Sequence, residues 1–305
     1  MSDTIPERRA GRDIVDAHHH IWDTDRNYHP WLRDEPMIPF RYGDYSAIRR
    51  PYSPDEYRRD AEPWNLVASV YVETEWDRSD ETGEMDYLAS VMAENTLPSV
   101  AVAHATLDAP TAPAVLESHA ARPFVRGIRH KPRANAAPRD ATPGGMTEPS
   151  WRENFARLEK LGLRYDVQTP WWHFTELAAL ATAFPNSRII VNHTGLPADR
   201  SPDAISAWKA AMHRAAACPN ISVKISGLGQ RGQKWTADAN RDIVLTTIDL
   251  FGTDRCMFAS NFPVDSLCAT FAEIYGGFED IVRKFTPAEQ DALFADNARR
   301  IYDIR

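Results

Sequence analysis

The sequence predicts a single (β/α)8 barrel, on three observations. Eight short apolar runs of strand length recur along the 305 residues, helix-length segments separate most of them, and no glycine-rich nucleotide fingerprint follows the first run. Strands alternating with helical stretches imply βαβ units and a parallel sheet. Without the fingerprint of a doubly wound nucleotide-binding sheet, eight such units point to a closed barrel. Barrels of about this length routinely form one domain. The expected division is a polar tail over 1–12 and a barrel over 13–305.

The strands are expected at Asp13–His20, Leu66–Glu73, Pro98–Leu107, Phe124–Arg129, Leu163–Thr169, Ser187–His193, Ile221–Ser226 and Cys256–Asn261. Runs such as "SRIIVNH" and "RCMFASN" are almost continuously apolar, as strands covered on both faces should be. Helices are expected around Glu84–Glu94, Trp151–Leu161, Thr175–Phe184, Pro202–Ala217 and Ala237–Phe251. A terminal helix over Pro287–Ile301 would pack outside the barrel or close it. Two connections are long and irregular, Trp22–Pro63 after strand one and Lys131–Pro149 after strand four. In a barrel such loops overhang the mouth, where they can shape or cover a pocket. For the second, a plain insertion is an equally good reading.

Composition narrows the partners. With 35 basic against 43 acidic residues the net charge is −8, which repels nucleic acid and anionic membranes. It leaves room for a small anionic substrate held by local charge. Three cysteines, Cys218, Cys256 and Cys268, form neither a disulfide framework nor a zinc ribbon and suit a reducing cytosol. The N-terminal stretch has no apolar signal core, and no run is long enough to span a bilayer. A cytoplasmic protein acting on a small molecule is expected, with assembly of identical chains left open.

The chemistry-bearing residues fall at strand ends. In "IVDAHHHIW", alternation turns His18 and His20 toward one face with Asp16 beneath them and His19 outward. Two imidazoles on one face begin a divalent metal site, and Asp16 could orient one of them. His193 ends "RIIVNH", Asn261 ends the eighth strand with Asp265 four residues on, and Glu73 ends the second. Arg129 and His130, Gln168, and Lys224 with Ser226 complete a polar ring. Arg129 could hold a substrate carboxylate in its fork, and Lys224 could partner a site acid. Trp171 and Trp172 would wall the pocket or simply pack.

Six ordered segments, "DAHHHIWD", "GIRH", "VNHTGLP", "VKISGL", "SNFPVD" and "DNARRIY", resemble the lactonase branch of the amidohydrolase superfamily. The resemblance spans Asp16 to Tyr302 and implies hydrolysis of a small lactone, a sugar lactone or a carboxylated one, by an activated water. It implies His18 and His20 as a first-strand metal pair, with Glu73 or His193 as a further ligand, holding one divalent ion, zinc by preference. Metal-free chemistry is also known in this branch. His193, Asp265 and Asn261 are the implied catalytic residues, and Arg129, His130, Gln168 and Lys224 the substrate-binding set. Gln168 and Asn261 stand where the wider superfamily carries a histidine and an aspartate, so the general base stays open among Asp265, Glu73 and His193. The same scaffold also serves amide or imide hydrolases, non-oxidative decarboxylases and inactive ligand-binding barrels.

Overall fold

The computed structural model describes residues 12–305, so the expected tail lies outside the described residues except for Arg12. Eight strands form one parallel sheet in sequence order, β1 (Asp13–His19), β2 (Asn65–Val72), β3 (Val100–His104), β4 (Val125–Arg129), β5 (Arg164–Val167), β6 (Ile189–Val191), β7 (Ile221–Ile225) and β8 (Cys256–Phe258). Each falls within or one residue from its expected range. The ring is completed past the end of β8, where His20 N–H donates to Phe262 O at 2.7 Å and Asn261 N–H to His18 O at 2.8 Å.

Alternation sorts the side chains. Val15, Ala17, Val70, Val72, Val100, Val102, Ile190, Met257 and Ala259 form one buried cluster at the barrel centre. Their strand neighbours join the larger core beneath the helices. Small and β-branched residues dominate the centre because the interior of an eight-stranded barrel has room for side chains only in stacked layers. The terminal segment closes that centre from below. Its path is an α-helix over Pro287–Asp291, a π-helical turn over Ala292–Asp296 and a second α-helix over Asn297–Tyr302. Ala295, Ala298, Ile301 and Tyr302 pack on the central cluster.

The outer helices begin where the sequence supplies caps. Ser201 accepts from Ala204 N–H ahead of Pro202–Ala216, and Thr236 from Ala239 N–H ahead of Ala237–Phe251. Thr270 and Thr286 form capping boxes with Glu273 and Glu289. Such caps satisfy N–H groups that a helix leaves orphaned, each contributing about 1 kcal/mol. No described helix is long and apolar enough to cross a membrane.

The loop after β1 folds back over the mouth, carrying Trp22, Trp31, Phe40 and Arg41 into a cavity there. Of the loop after β4, only Lys131 reaches that cavity. The remainder packs sideways, with Asn135 N–H on His173 and Gly144 N–H on Glu176. The second loop is thus largely an insertion.

Candidate active site

A cavity of about 590 Å³ opens at the C-terminal ends of the strands. Its floor includes His20, Arg129, Gln168, His193 and Asn261, and its walls Trp22, Trp31, Phe40 and Trp76. The first-strand pair and His193 converge as expected. The His18 ring centroid lies 5.0 Å from that of His20 and 4.6 Å from that of His193. His19 faces outward, stacked on Tyr57 at 4.0 Å.

All three site imidazoles are held neutral. Burial lowers the His18 and His193 pKa values well below the usual histidine range, and neighbouring cations reinforce the effect. Burial, then Arg129, lowers His20 to about 3. His20 Nδ1 lies 2.8 Å from Val72 O. A carbonyl can only accept, so Nδ1 carries the proton and Nε2 keeps its lone pair. His193 Nδ1 lies 2.9 Å from Ser226 Oγ, which can donate or accept.

Backbone strain concentrates here. His193 (φ 54°), Thr194 (φ 50°), Leu196 (φ 60°) and Asn261 (φ 56°) all adopt left-handed conformations that non-glycine residues avoid. Such conformations cost on the order of 1–3 kcal/mol each and persist only where the surroundings over-determine them.

Asp265 is buried behind Asn261 and does not line the cavity. It accepts from Asn261 Nδ2 at 2.6 Å and Tyr42 Oη at 2.9 Å. Burial pushes its carboxyl up to about 6, against the pull of Arg41, whose Nη2 is 3.9 Å away. Asp265 therefore positions Asn261 and Arg41.

Several expected roles are corrected by long-range pairing. Asp16 does not lie under the histidine rings. A register shift in β1 between Asp16 and His19 breaks strict alternation. Its carboxylate instead accepts from Tyr57 Oη at 2.7 Å, Ser260 Oγ at 2.5 Å and the Ser260 N–H. Arg129 offers no free fork to a substrate carboxylate. Nε donates to Glu73 Oε1 at 2.6 Å, Nη2 to Glu73 O and Nη1 to Gln168 Oε1 at 3.1 Å. His130 lies outside the cavity, its Nδ1 accepting from Trp151 Nε1 and Leu107 N–H. Lys224 is fully buried below the site, 2.6 Å from Asp166 Oδ1, with Tyr302 Oη also donating to that carboxylate. Trp171 and Trp172 pack against each other away from the cavity. Gln168 does line the cavity.

Of the expected metal set, Glu73 does not fit. His18 has both ring nitrogens buried without a hydrogen-bond partner. Glu73, however, is committed to Arg129, and Arg78 lies 3.3 Å from its other oxygen. These cations hold its carboxyl well below the usual range despite burial. Among the described residues, no three His, Cys, Asp or Glu side chains are grouped to hold a metal ion.

The sequence reading missed Arg41. Its guanidinium lies over the Tyr42 ring at 4.6 Å and reaches the cavity from the first long loop. Of the other cavity cations, Arg129 is committed to Glu73, and Arg78 and Lys131 are both paired with Glu75. The length of the loop and its place over the mouth were the only signals pointing to it.

The fold agrees with that of the chain's relatives. Residues 15–304 match the amidohydrolase family model, and the chain belongs to this family. It is 37% identical over 297 residues to the uncharacterized protein y4mH of Sinorhizobium fredii (strain NBRC 101917 / NGR234), covering 95% of this chain and 98% of that one. It is also 26% identical over 302 residues to an L-fucono-1,5-lactonase of Burkholderia multivorans (strain ATCC 17616 / 249), covering 95% and 96%. The crystal structure of an amidohydrolase from Burkholderia multivorans with bound zinc superposes with a TM-score of 0.77 at 23% identity, covering 96% of this chain and 99% of that one. A second L-fucono-1,5-lactonase, from Burkholderia ambifaria (strain ATCC BAA-244 / DSM 16087 / CCUG 44356 / LMG 19182 / AMMD), is 29% identical over 303 residues, covering 95% of each chain.

Proposed function

We propose that this protein hydrolyses a small lactone, seated between the aromatic walls with its carbonyl over His20, His193 and Asn261. The observation that carries the reading is the placement of two buried imidazoles, His20 and His193, in the cavity lining, with His18 packed against both rings. Lactonase relatives covering nearly the whole chain support the reaction class.

In this reading His20 Nε2 accepts a proton from water as the water oxygen bonds to the carbonyl carbon. The carbonyl electron pair moves onto oxygen. With Ser226 donating to Nδ1, His193 presents Nε2–H to that oxyanion, and the Arg41 charge adds long-range stabilisation. Collapse re-forms the carbonyl and breaks the ring C–O bond, and the leaving alkoxide takes the proton from His20. Development of the oxyanion beside His20 raises its basicity during the step, offsetting a low resting pKa. Asn261, fixed by Asp265, forms part of the same floor.

The test is a panel of neutral sugar lactones and carboxylated lactones, followed by proton release and by product mass. The reading expects products heavier by one water from at least one group. Turnover confined to amides, or loss of carbon dioxide from aromatic acids with every lactone untouched, would overturn it.

A further inference from the structure

Beside the catalytic cavity lies a second cleft of about 260 Å³, between the loops that follow β6 and β7. Its lining includes Arg41, Arg200, Arg231, Gln230 and Gln233, and no carboxylate. In a protein with net charge −8, three guanidinium groups around one acid-free cleft form a local reversal of sign. Asp199, the nearest acid in sequence to Arg200, is engaged by the Ser201 N–H.

Arg200 is the most telling of the three. Its Nε is buried with no hydrogen-bond partner. Its Nη2 has only neutral and long contacts, to Asn240 Oδ1 at 3.3 Å and Leu228 O at 3.4 Å. Burial lowers its pKa, and the only countervailing influence is the phenol of Tyr42. An unneutralised, part-desolvated guanidinium is unfavourable unless an anion completes it. Arg231 also lines the cleft, and a Cβ at Gly43 would come within 3.1 Å of its Nε. Gly227 and Gly229 both line the cleft. A Cβ at Gly227 would meet His193 Nδ1 at 2.6 Å and Arg41 Nη2 at 2.9 Å, so this glycine lets Arg41 lie between the two spaces.

We propose that this cleft is a binding site for a phosphate-type oxyanion, gripped by Arg200 and Arg231 and shared with the catalytic cavity through Arg41. Planar guanidinium forks match tetrahedral oxyanions, and barrels commonly place phosphate sites among the later strand-end loops. The anion is either a substituent of the molecule held in the catalytic cavity or a free ion.

Isothermal titration calorimetry of the full chain with inorganic phosphate, at constant ionic strength, tests the site without using catalysis. Saturable binding is expected, weakened at least about tenfold in Arg200→Gln and in Arg231→Gln, as loss of a charged hydrogen bond implies. Lys234→Gln serves as the control, because Lys234 is an exposed cation outside the cleft, paired with Glu273. Arg231 is exposed, so its variant keeps the test decisive if Arg200→Gln fails to fold. Absence of saturable binding, or equal weakening in Lys234→Gln, overturns the proposal. A second arm, resting on the lactone reading, separates the two sources. Phosphate that raises the KM of anionic lactones alone marks a substrate subsite, and phosphate that binds without changing any KM marks a separate ion site.

Discussion

Replacing Arg129 by Met asks what Glu73 is for. In the structure the two side chains are 4% and 1% exposed, and their ion pair is 2.6 Å long. Arg129→Met would leave the Glu73 carboxylate with the Glu75 N–H at 2.9 Å and Arg78 at 3.3 Å. Removing one partner of a buried pair costs about 3–5 kcal/mol. Arg78 is part-exposed and already beside the carboxylate, so the lower end of that range, about 3 kcal/mol, is expected. Glu73→Gln retains an oxygen acceptor and should cost about 1–3 kcal/mol. The double variant Arg129→Met/Glu73→Leu removes both charges and should come within about 1.5 kcal/mol of wild type, as apolar replacement of buried pairs often does. Urea unfolding followed by tryptophan fluorescence, with Glu73→Leu measured as the second single variant, closes the Arg129→Met, Glu73→Leu cycle and gives the coupling. Additive losses would refute the pairing argument. So would a Glu73→Gln protein of wild-type stability that had lost a stoichiometric bound zinc, since that outcome makes Glu73 a ligand.

Other expectations follow from the same geometry. Asp265 is raised to about 6, so its carboxylate becomes protonated as pH falls through 6 and stops accepting from Asn261 and Tyr42. The wild-type kcat/KM should carry an acid limb near pH 6 that Asp265→Asn lacks, and a limb unchanged in the variant would contradict the assignment. Stability has the opposite sign. Burial penalises the ionised form, so the penalty is relieved as pH drops from about 6 toward 3.8, and Asp265→Asn should remove that slope from unfolding curves. Gly227→Ala forces a methyl group to within 2.6 Å of His193 Nδ1 at a φ of +61°. Circular dichroism should remain native-like while kcat falls on the order of 100-fold, the scale of a misplacement near 1 Å. Lys224→Met leaves Asp166 with only neutral donors, Tyr302 and Asn192, and should lower unfolding stability by about 3 kcal/mol. An unchanged midpoint would contradict the pairing of Lys224 with Asp166.

The barrel was legible because periodicity is a local property. Each of the eight apolar runs occupies a few consecutive residues. His18, His20 and His193 were legible for a related reason, since strand ends in a closed barrel converge whatever their distance in sequence. What a side chain pairs with is not local. Arg129 finds Glu73 56 residues away, and Tyr42 finds Asp265 across 223 residues. Residue type and strand-end position alone therefore turned Arg129, His130 and Lys224 into substrate-binding residues, when each is engaged within the protein. Asp16 was misplaced by a single register irregularity, which no alternation rule anticipates. Arg41 was invisible because the path of a long loop is set by the surface it covers.

The central claim is that two neutral imidazoles on the cavity floor, His20 and His193, carry out lactone hydrolysis. Its most direct test is kcat/KM of His20→Ala and His193→Ala on the lactone the wild type turns over fastest, at neutral pH, on protein shown to be folded. Each variant should fall by a factor of about 100 to 10,000, the range for loss of a positioned acid–base group. Near-wild-type turnover in either variant would contradict the account.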